Sequence, residues 1–224
     1  MLLAVDTSTL WIGMALYDGA AVVAEQVWHT QNHHTVELAP AVDQLLRRSG
    51  VKPSDLECLG VALGPGSFTS LRIGLALVKG LALALHLPVV GVPTLDILAE
   101  AQPVREIPLL AVLQVGRKRL AIRRYEAVDG RWAAKDELDV KYPEEFAESL
   151  NRPVLVCGEL PEDLRGLLRR KRKSVMLVTP AASLRRPAYL AEIAWRKWQD
   201  GDLPPAAAIS PIYLHVNEET PIPD

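Results

Sequence analysis

Gly64-Pro65-Gly66-Ser67-Phe68-Thr69-Ser70-Leu71-Arg72-Ile73-Gly74 joins a short apolar run to a long, almost uncharged one through a glycine-rich corner. Upstream, Cys58-Leu59-Gly60-Val61-Ala62-Leu63 has the length and composition of a buried strand. Downstream, a helical pattern runs from Ser67 to His86, where Leu87-Pro88 ends it, because the residue before a proline is pushed out of the helical region. The glycines admit positive φ and close backbone approach, and the first amides of the helix have no intrahelical partners. The corner therefore suits either an anion or tight packing against another chain.

Beyond its first turn, the strongly polar residues of this helix are Arg72, Lys79 and His86. A step of seven drifts only about 20° around an α-helix, so they form one narrow stripe. A helix apolar nearly all round must be covered on more than one side. The preceding helix, Thr35 to Ser49, adds a second apolar strip of Leu38, Val42, Leu45 and Leu46. The reading is a docking surface built from Leu38, Val42 and Leu45 with Gly64, Pro65, Gly66, Ser67, Phe68, Thr69, Arg72, Ile73, Gly74 and Leu75, where Gly74, Ala76 and Gly80 permit close helix approach. Which of Leu75 and Leu77 faces outward stays open, as does a helix buried wholly in its own domain. A membrane span is disfavoured by the polar stripe, by Pro88 and by a Gly74 to Gly80 spacing that misses GxxxG.

The rest of the chain gives an α/β order. Leu2 to Val5, Ile12 to Tyr17 and Val22 to Trp28 read as a three-strand meander turning at Asp18-Gly19. After the glycine corner come the strand Val89 to Val92 and a short helix from Thr94 to Ala101, with Pro103 and Pro108 bracketing a boundary. The second half repeats the plan, with strands at Leu109 to Val115 and Leu120 to Ala127 and another after Asp129-Gly130. Buried strands follow at Val154 to Cys157 and Val175 to Val178, and helices at Pro143 to Leu150, Pro161 to Arg170 and Pro187 to Gln199. The 224 residues suit one domain or two small ones. Net charge is -2, but residues 1–103 hold only five basic and nine acidic side chains against 20 and 18 in residues 104–224. So charge-poor a first half suits an apolar face meant for a partner. Cys58 and Cys157 read as buried reduced thiols, and no secretion signal precedes the first strand, which points to the cytoplasm.

These residues carry a resemblance. Leu3-Ala4-Val5-Asp6-Thr7-Ser8, His34 through Leu46, the glycine corner through Gly74, Gly80-Leu81-Ala82, Gly91-Val92-Pro93-Thr94-Leu95 and Pro211-Ile212-Tyr213-Leu214 look like the TsaB (YeaZ) family. The resemblance implies two actin-like (ASKHA, ribonuclease H-like) α/β subdomains, at 1–103 and 104–224, with the last helix or tail free to pack back on the first. It implies a non-catalytic, cytosolic subunit that pairs with the paralogous TsaD and the ATPase TsaE, and with itself when alone. The complex transfers a threonylcarbamoyl group to the adenosine beside the anticodon of tRNAs reading ANN codons. It implies no tightly bound cofactor, with a nucleotide site open only at the joint interface, and tRNA reached through the complex. Three departures stand out. Ser70 replaces a usual glycine, for which a slightly wider approach at the helix start is expected, Gln114-Val115 stands where many members read Asp-Ala, and His215 stands where arginine is common.

Asp6-Thr7-Ser8 falls where a related ATPase places its first phosphate loop, a vestigial cofactor position here. The second half offers Gln114-Val115-Gly116-Arg117 without a strand-end carboxylate, which leaves a free-standing ATPase or small-molecule kinase as the alternative reading. The corner is no P-loop, having no Lys-Ser or Lys-Thr, and Thr69 replaces the third glycine of G-x-G-x-x-G. His29 and His33 mimic a helical metal pair, but His29 leaves a strand and no third ligand accompanies His33 and Glu37, so no metal site is expected. Arg165, Arg169, Arg170, Lys171, Arg172 and Lys173 form a basic run without aromatics, read as a solvated helix end suited to the helix dipole in preference to the alternative, contact with tRNA phosphates.

Overall fold

The computed structural model describes residues 1–116, 118–201, 203, 205–212 and 214. The first sheet is built from Leu2–Asp6 (β1), Trp11–Tyr17 (β2), Val22–His29 (β3), Cys58–Ala62 (β4) and Val89–Val92 (β5), in the order β3-β2-β1-β4-β5. β1 runs antiparallel to β2 and parallel to β4. The second sheet takes Leu109–Val115 (β6), Arg119–Val128 (β7), Arg131–Ala134 (β8), Asp139–Lys141 (β9), Val154–Glu159 (β10) and Val175–Leu177 (β11), in the order β11-β10-β6-β7-β8 with β9 also on β7. Each half thus joins an antiparallel hairpin to a parallel core. The short β9, too brief for a periodic signal, has no counterpart in the sequence reading.

His34–Arg48 (α1) and Phe68–Leu85 (α2) cover one face of the first sheet, where Leu3, Val5, Met14 and Leu16 meet Leu38, Val42, Leu45, Leu75 and Val78. On the other face, the alternate residues Leu2, Ala4 and Ala15 meet Leu190, Ala191, Ile193 and Ala194 of Pro187–Gln199 (α6). Successive strand residues point to opposite faces, so both parities of β1 are buried because both faces are covered. Glu25 of β3 seats α6, accepting a hydrogen bond from the Ala188 amide in its first turn (3.1 Å) and pairing with Arg186. Thr94–Glu100 (α3) lies before Pro103 yet sends Leu95, Leu98 and Ala99 into the core of the second sheet. The other face of that sheet is covered by Pro143–Ser149 (α4) and Glu162–Arg170 (α5) through Phe146, Leu164 and Leu168. α3 and α6 therefore bind the halves into one body, and Arg196 of α6 bonds Glu100 of α3 at 2.8 Å.

α2 begins with Ser67 as its cap and ends with His86 in the left-handed conformation (φ 57°). Its inner face carries Ser70, Leu71, Gly74, Leu75, Val78 and Ala82, at helical spacing. By length and composition it is apolar enough to cross a membrane, and here its inner face lies on the first sheet. Leu38, Val42, Leu45, Gly74 and Leu75 are thus buried in the chain's own core, as are Gly64 and Pro65, and not on the outward face of the helices. The apolar strip of α1 pointed inward because it faces the sheet; sequence periodicity gives a face but not its direction. Pro40 is the seventh residue of α1, on its exposed side, where its missing amide leaves the Val36 carbonyl without an intrahelical partner. The outward face of α2 consists of Phe68, Thr69, Arg72, Ala76, Gly80, Leu83 and Ala84, with Leu83 78% exposed and the Arg72 guanidinium 3.6 Å above the Phe68 ring.

Two expectations follow. Leu75→Glu buries an unpaired carboxylate and should cost about 4 kcal/mol or more, enough to unfold the chain, whereas Ala76→Glu, one residue on and exposed, should stay within about 0.5 kcal/mol. Urea titrations followed by circular dichroism decide this, and equal midpoints for the two variants would contradict the orientation of α2. Burial pushes the Cys58 and Cys157 thiols up to about 12. Neither should react with iodoacetamide at pH 8 faster than the protein unfolds, as measured by quenched mass spectrometry.

Candidate functional site

β1 ends at Asp6, and Thr7 and Ser8 make the sharp return that leads to β2. All three are at most 3% exposed. The loop is held from two sides by α2 and its corner. Thr7 Oγ1 donates to the Ser70 carbonyl at 2.7 Å, and the Ser67 amide donates to the Ser8 carbonyl at 2.7 Å. The Ser8 and Thr94 hydroxyls lie 2.7 Å apart, and Thr94 also accepts the Gly64 amide at 3.0 Å. The glycines explain the closeness. A Cβ on Gly66 would collide with the Ser8 carbonyl, and one on Gly74 with the Thr7 hydroxyl. Ser70, in place of the family's glycine, is accommodated by donating to the Ser67 hydroxyl at 3.0 Å.

The Asp6 carboxylate is engaged as well. One oxygen accepts the Ser8 amide at 2.8 Å and the other accepts Arg185 Nε at 2.7 Å. Arg185, in the segment leading into α6, is 2% exposed, and its remaining nitrogens reach Thr9 Oγ1 at 3.0 Å and the Glu159 carboxylate at the end of β10. Burial opposes the charge on this guanidinium, but the carboxylates of Asp6 and Glu159 outweigh it and hold its proton above the ordinary arginine value. The second half therefore does supply a strand-end carboxylate, against the expectation drawn from Gln114-Val115-Gly116, but it comes from β10 and arrives already paired. A signal existed in part: Glu159 closes the apolar run of β10 as Asp6 closes that of β1. Arg185 had none, since it lies 179 residues from Asp6.

The remaining candidates are used elsewhere. His29 packs edge-on against Trp11, His33 pairs with Glu37 at 3.7 Å, and His34 is buried with Nε2 2.8 Å from the Thr9 carbonyl. Among the described residues no group of three or more His, Cys, Asp or Glu side chains converges as a metal site. Arg165 is not part of a solvated run; it is 7% exposed and donates to the Val178 carbonyl at 3.3 Å. Beside the glycine corner, a cleft of about 600 Å³ separates Phe68 and Thr69 from Val115, Gly116 and Arg119 of the second half, and the tail enters it at Ile212 and Leu214. The Ile212 amide donates to the Leu63 carbonyl at 2.7 Å. Arg117, Tyr213 and His215 lie outside the described residues.

Two mixed sheets bridged by α3 and α6, with an aspartate that ends the first strand and is held by Arg185, define an actin-like α/β protein. A family model described as TsaD: tRNA N6-adenosine threonylcarbamoyltransferase matches residues 22–148. The protein named tRNA threonylcarbamoyladenosine biosynthesis protein TsaB of Escherichia coli (strain K12) is 33% identical over 165 residues, covering 69% of this chain and 64% of that one. Its Bacillus subtilis (strain 168) namesake is 42% identical over 98 residues, covering 44% and 43%. The chain thus spans between about two fifths and two thirds of the length of these curated relatives. The solved structure "YeaZ from Pseudomonas aeruginosa" superposes with a TM-score of 0.79 at 27% identity, covering 95% of this chain and 99% of that one. Component A of the (R)-2-hydroxyglutaryl-CoA dehydratase of Acidaminococcus fermentans shares the fold alone, with a TM-score of 0.52 at 12% identity over 88% and 98%. The chain belongs to the TsaB (YeaZ) family.

Removing one member of the buried ion cluster should be severe. Arg185→Met leaves the buried Asp6 and the partly buried Glu159 without a countercharge and is expected to cost about 3 to 5 kcal/mol. Adding Asp6→Asn and Glu159→Gln to it should recover a large part of that loss in denaturant titrations. A single variant as stable as the parent would show the cluster to be dispensable.

Proposed function

We propose that this chain is the non-catalytic partner subunit in the synthesis of threonylcarbamoyladenosine beside the anticodon of ANN-reading tRNAs, acting with a TsaD-type paralogue and a TsaE-type ATPase in the cytoplasm. The observation that carries the non-catalytic reading is Arg185: its guanidinium lies on the carboxylate that a related ATPase would turn toward metal and phosphate. With Thr7 and Ser8 committed to α2 and Thr94, no open donor faces a nucleotide at this strand end. Any nucleotide in the complex is held at an interface the partners complete.

The outward face of α2 is the docking surface in this reading. Ala76, Gly80 and Ala84 are small enough for helix backbones to approach closely, and Leu83 supplies an apolar knob. A paralogue sharing this fold would offer an equivalent helix, giving a face-to-face helix contact. Without it, a second copy of this chain covers the same apolar face.

Reconstitution tests both parts. The chain alone should neither turn over ATP nor modify tRNA, while addition of the TsaD-type and TsaE-type proteins of the same organism should yield threonylcarbamoyladenosine in tRNA. ATP turnover by the isolated chain that disappears with Asp6→Asn would favour the rival, a free-standing ATPase. In size-exclusion chromatography with light scattering, Ala76→Glu combined with Leu83→Glu should abolish both homodimer and heterodimer at near-parent stability. A doubly charged variant that still pairs at parental affinity would place the interface elsewhere.

A further inference from the structure

We infer that the turn following α5, with the neighbouring loop before β10, is a phosphate-contact surface for the tRNA itself; the assignment rests on the function proposed above. The structure separates the basic run into parts. Arg165 is inside, Arg169 pairs with Glu162 at 3.4 Å, and Lys171 donates to the Glu148 carbonyl at 3.4 Å. Arg170, Arg172 and Lys173 are exposed, and so is Arg152 on the adjoining loop. Among the described residues no carboxylate lies within salt-bridge distance of these four.

They are presented by a pinned turn. The Ser174 and Val175 amides both donate to the Lys171 carbonyl at 2.9 Å, and the Val154 amide donates to the Ser174 carbonyl at 3.0 Å. The Ser174 hydroxyl bonds the Leu150 carbonyl at 3.1 Å, fastening the turn to the loop that carries Arg152. The dipole of α5 accounts for Arg169 and Arg170 in its last turn. It does not account for Arg172 and Lys173 beyond the helix or for Arg152 on another loop. Even with Glu148 alongside, positive charge is in excess here, and such repulsion within about one Debye length persists only where little is lost or where an anion relieves it. No aromatic side chain is interleaved, so the surface suits backbone phosphates and not bases. It stands at the opposite end of β10 from Glu159, roughly 17 Å from the buried ion cluster for a six-residue strand.

The test is the binding of an unmodified tRNA transcript to the reconstituted complex between 50 and 200 mM salt. Four phosphate contacts predict a log-log salt slope contribution of about -3. Arg170→Gln, Arg172→Gln and Lys173→Gln together should lower affinity about tenfold or more at 100 mM salt and flatten the slope by about 2, with partner pairing unchanged by light scattering. Parental affinity and slope in this variant would overturn the inference while leaving the proposed function standing. Failure of the parental complex to bind tRNA at all would overturn both. Loss of protein pairing with tRNA affinity retained would make this turn a protein contact and overturn the inference alone.

Discussion

A guanidinium sealed from water among two carboxylates and a hydroxyl is the constraint on which the two halves of this molecule agree. Asp6 belongs to the first strand, Glu159 to the central parallel strand of the second sheet, and Arg185 to the segment that returns to the first sheet as α6. Each ion alone would cost several kcal/mol to bury, and their mutual attraction offsets that only in a geometry that satisfies all of them. The cluster therefore specifies how the halves meet more than it adds to their stability. It also holds the Asp6 carboxylate at the end of the first strand against Arg185, so the geometry that joins the halves fixes that strand end as well.

Beside that cluster, Asp6-Thr7-Ser8 and the glycine corner lie back to back. Gly66 and Gly74 exist to let backbone and hydroxyl approach within van der Waals contact, and Thr94 ties the corner to α3. The corner is thus a packing joint within its own chain, where the sequence alone suits an anion site or packing against another chain. What it positions is α2, whose inner side is fixed at Ser70, Leu71 and Gly74 and whose outer side is consequently fixed as well.

Most of the fold was legible. The α2 boundaries came from a serine cap and a proline stop, and the meander from Asp18-Gly19, whose aspartate accepts the Ala20 and Ala21 amides at 2.8 and 2.7 Å. Direction was not legible. Leu38, Val42 and Leu45 form an apolar strip whichever way they point, and only the sheet behind α1 decides it. Nor could any local pattern join Arg185 to Asp6, or place Arg165 inside while its neighbours stay in water, because those outcomes depend on contacts between distant segments.

Taken as the proposed docking surface, the outer face of α2 sets a limit on how a partner can be chosen. Besides the stripe of Arg72, Lys79 and His86 it carries alanine, glycine and leucine, so charge complementarity can act only along that one stripe. In the proposed reading, discrimination between a second copy and a paralogue comes mainly from packing around that stripe, as a difference between two affinities on one surface. A self-contact pairs identical small residues and leaves shallow, repeated grooves. A paralogue can fill the grooves at Ala76 and Gly80 with larger side chains and gain the dispersion contacts the self-pair lacks. In the proposed reading, homodimer and heterodimer are mutually exclusive states of one helix face, and the concentration of the paralogue decides which is populated.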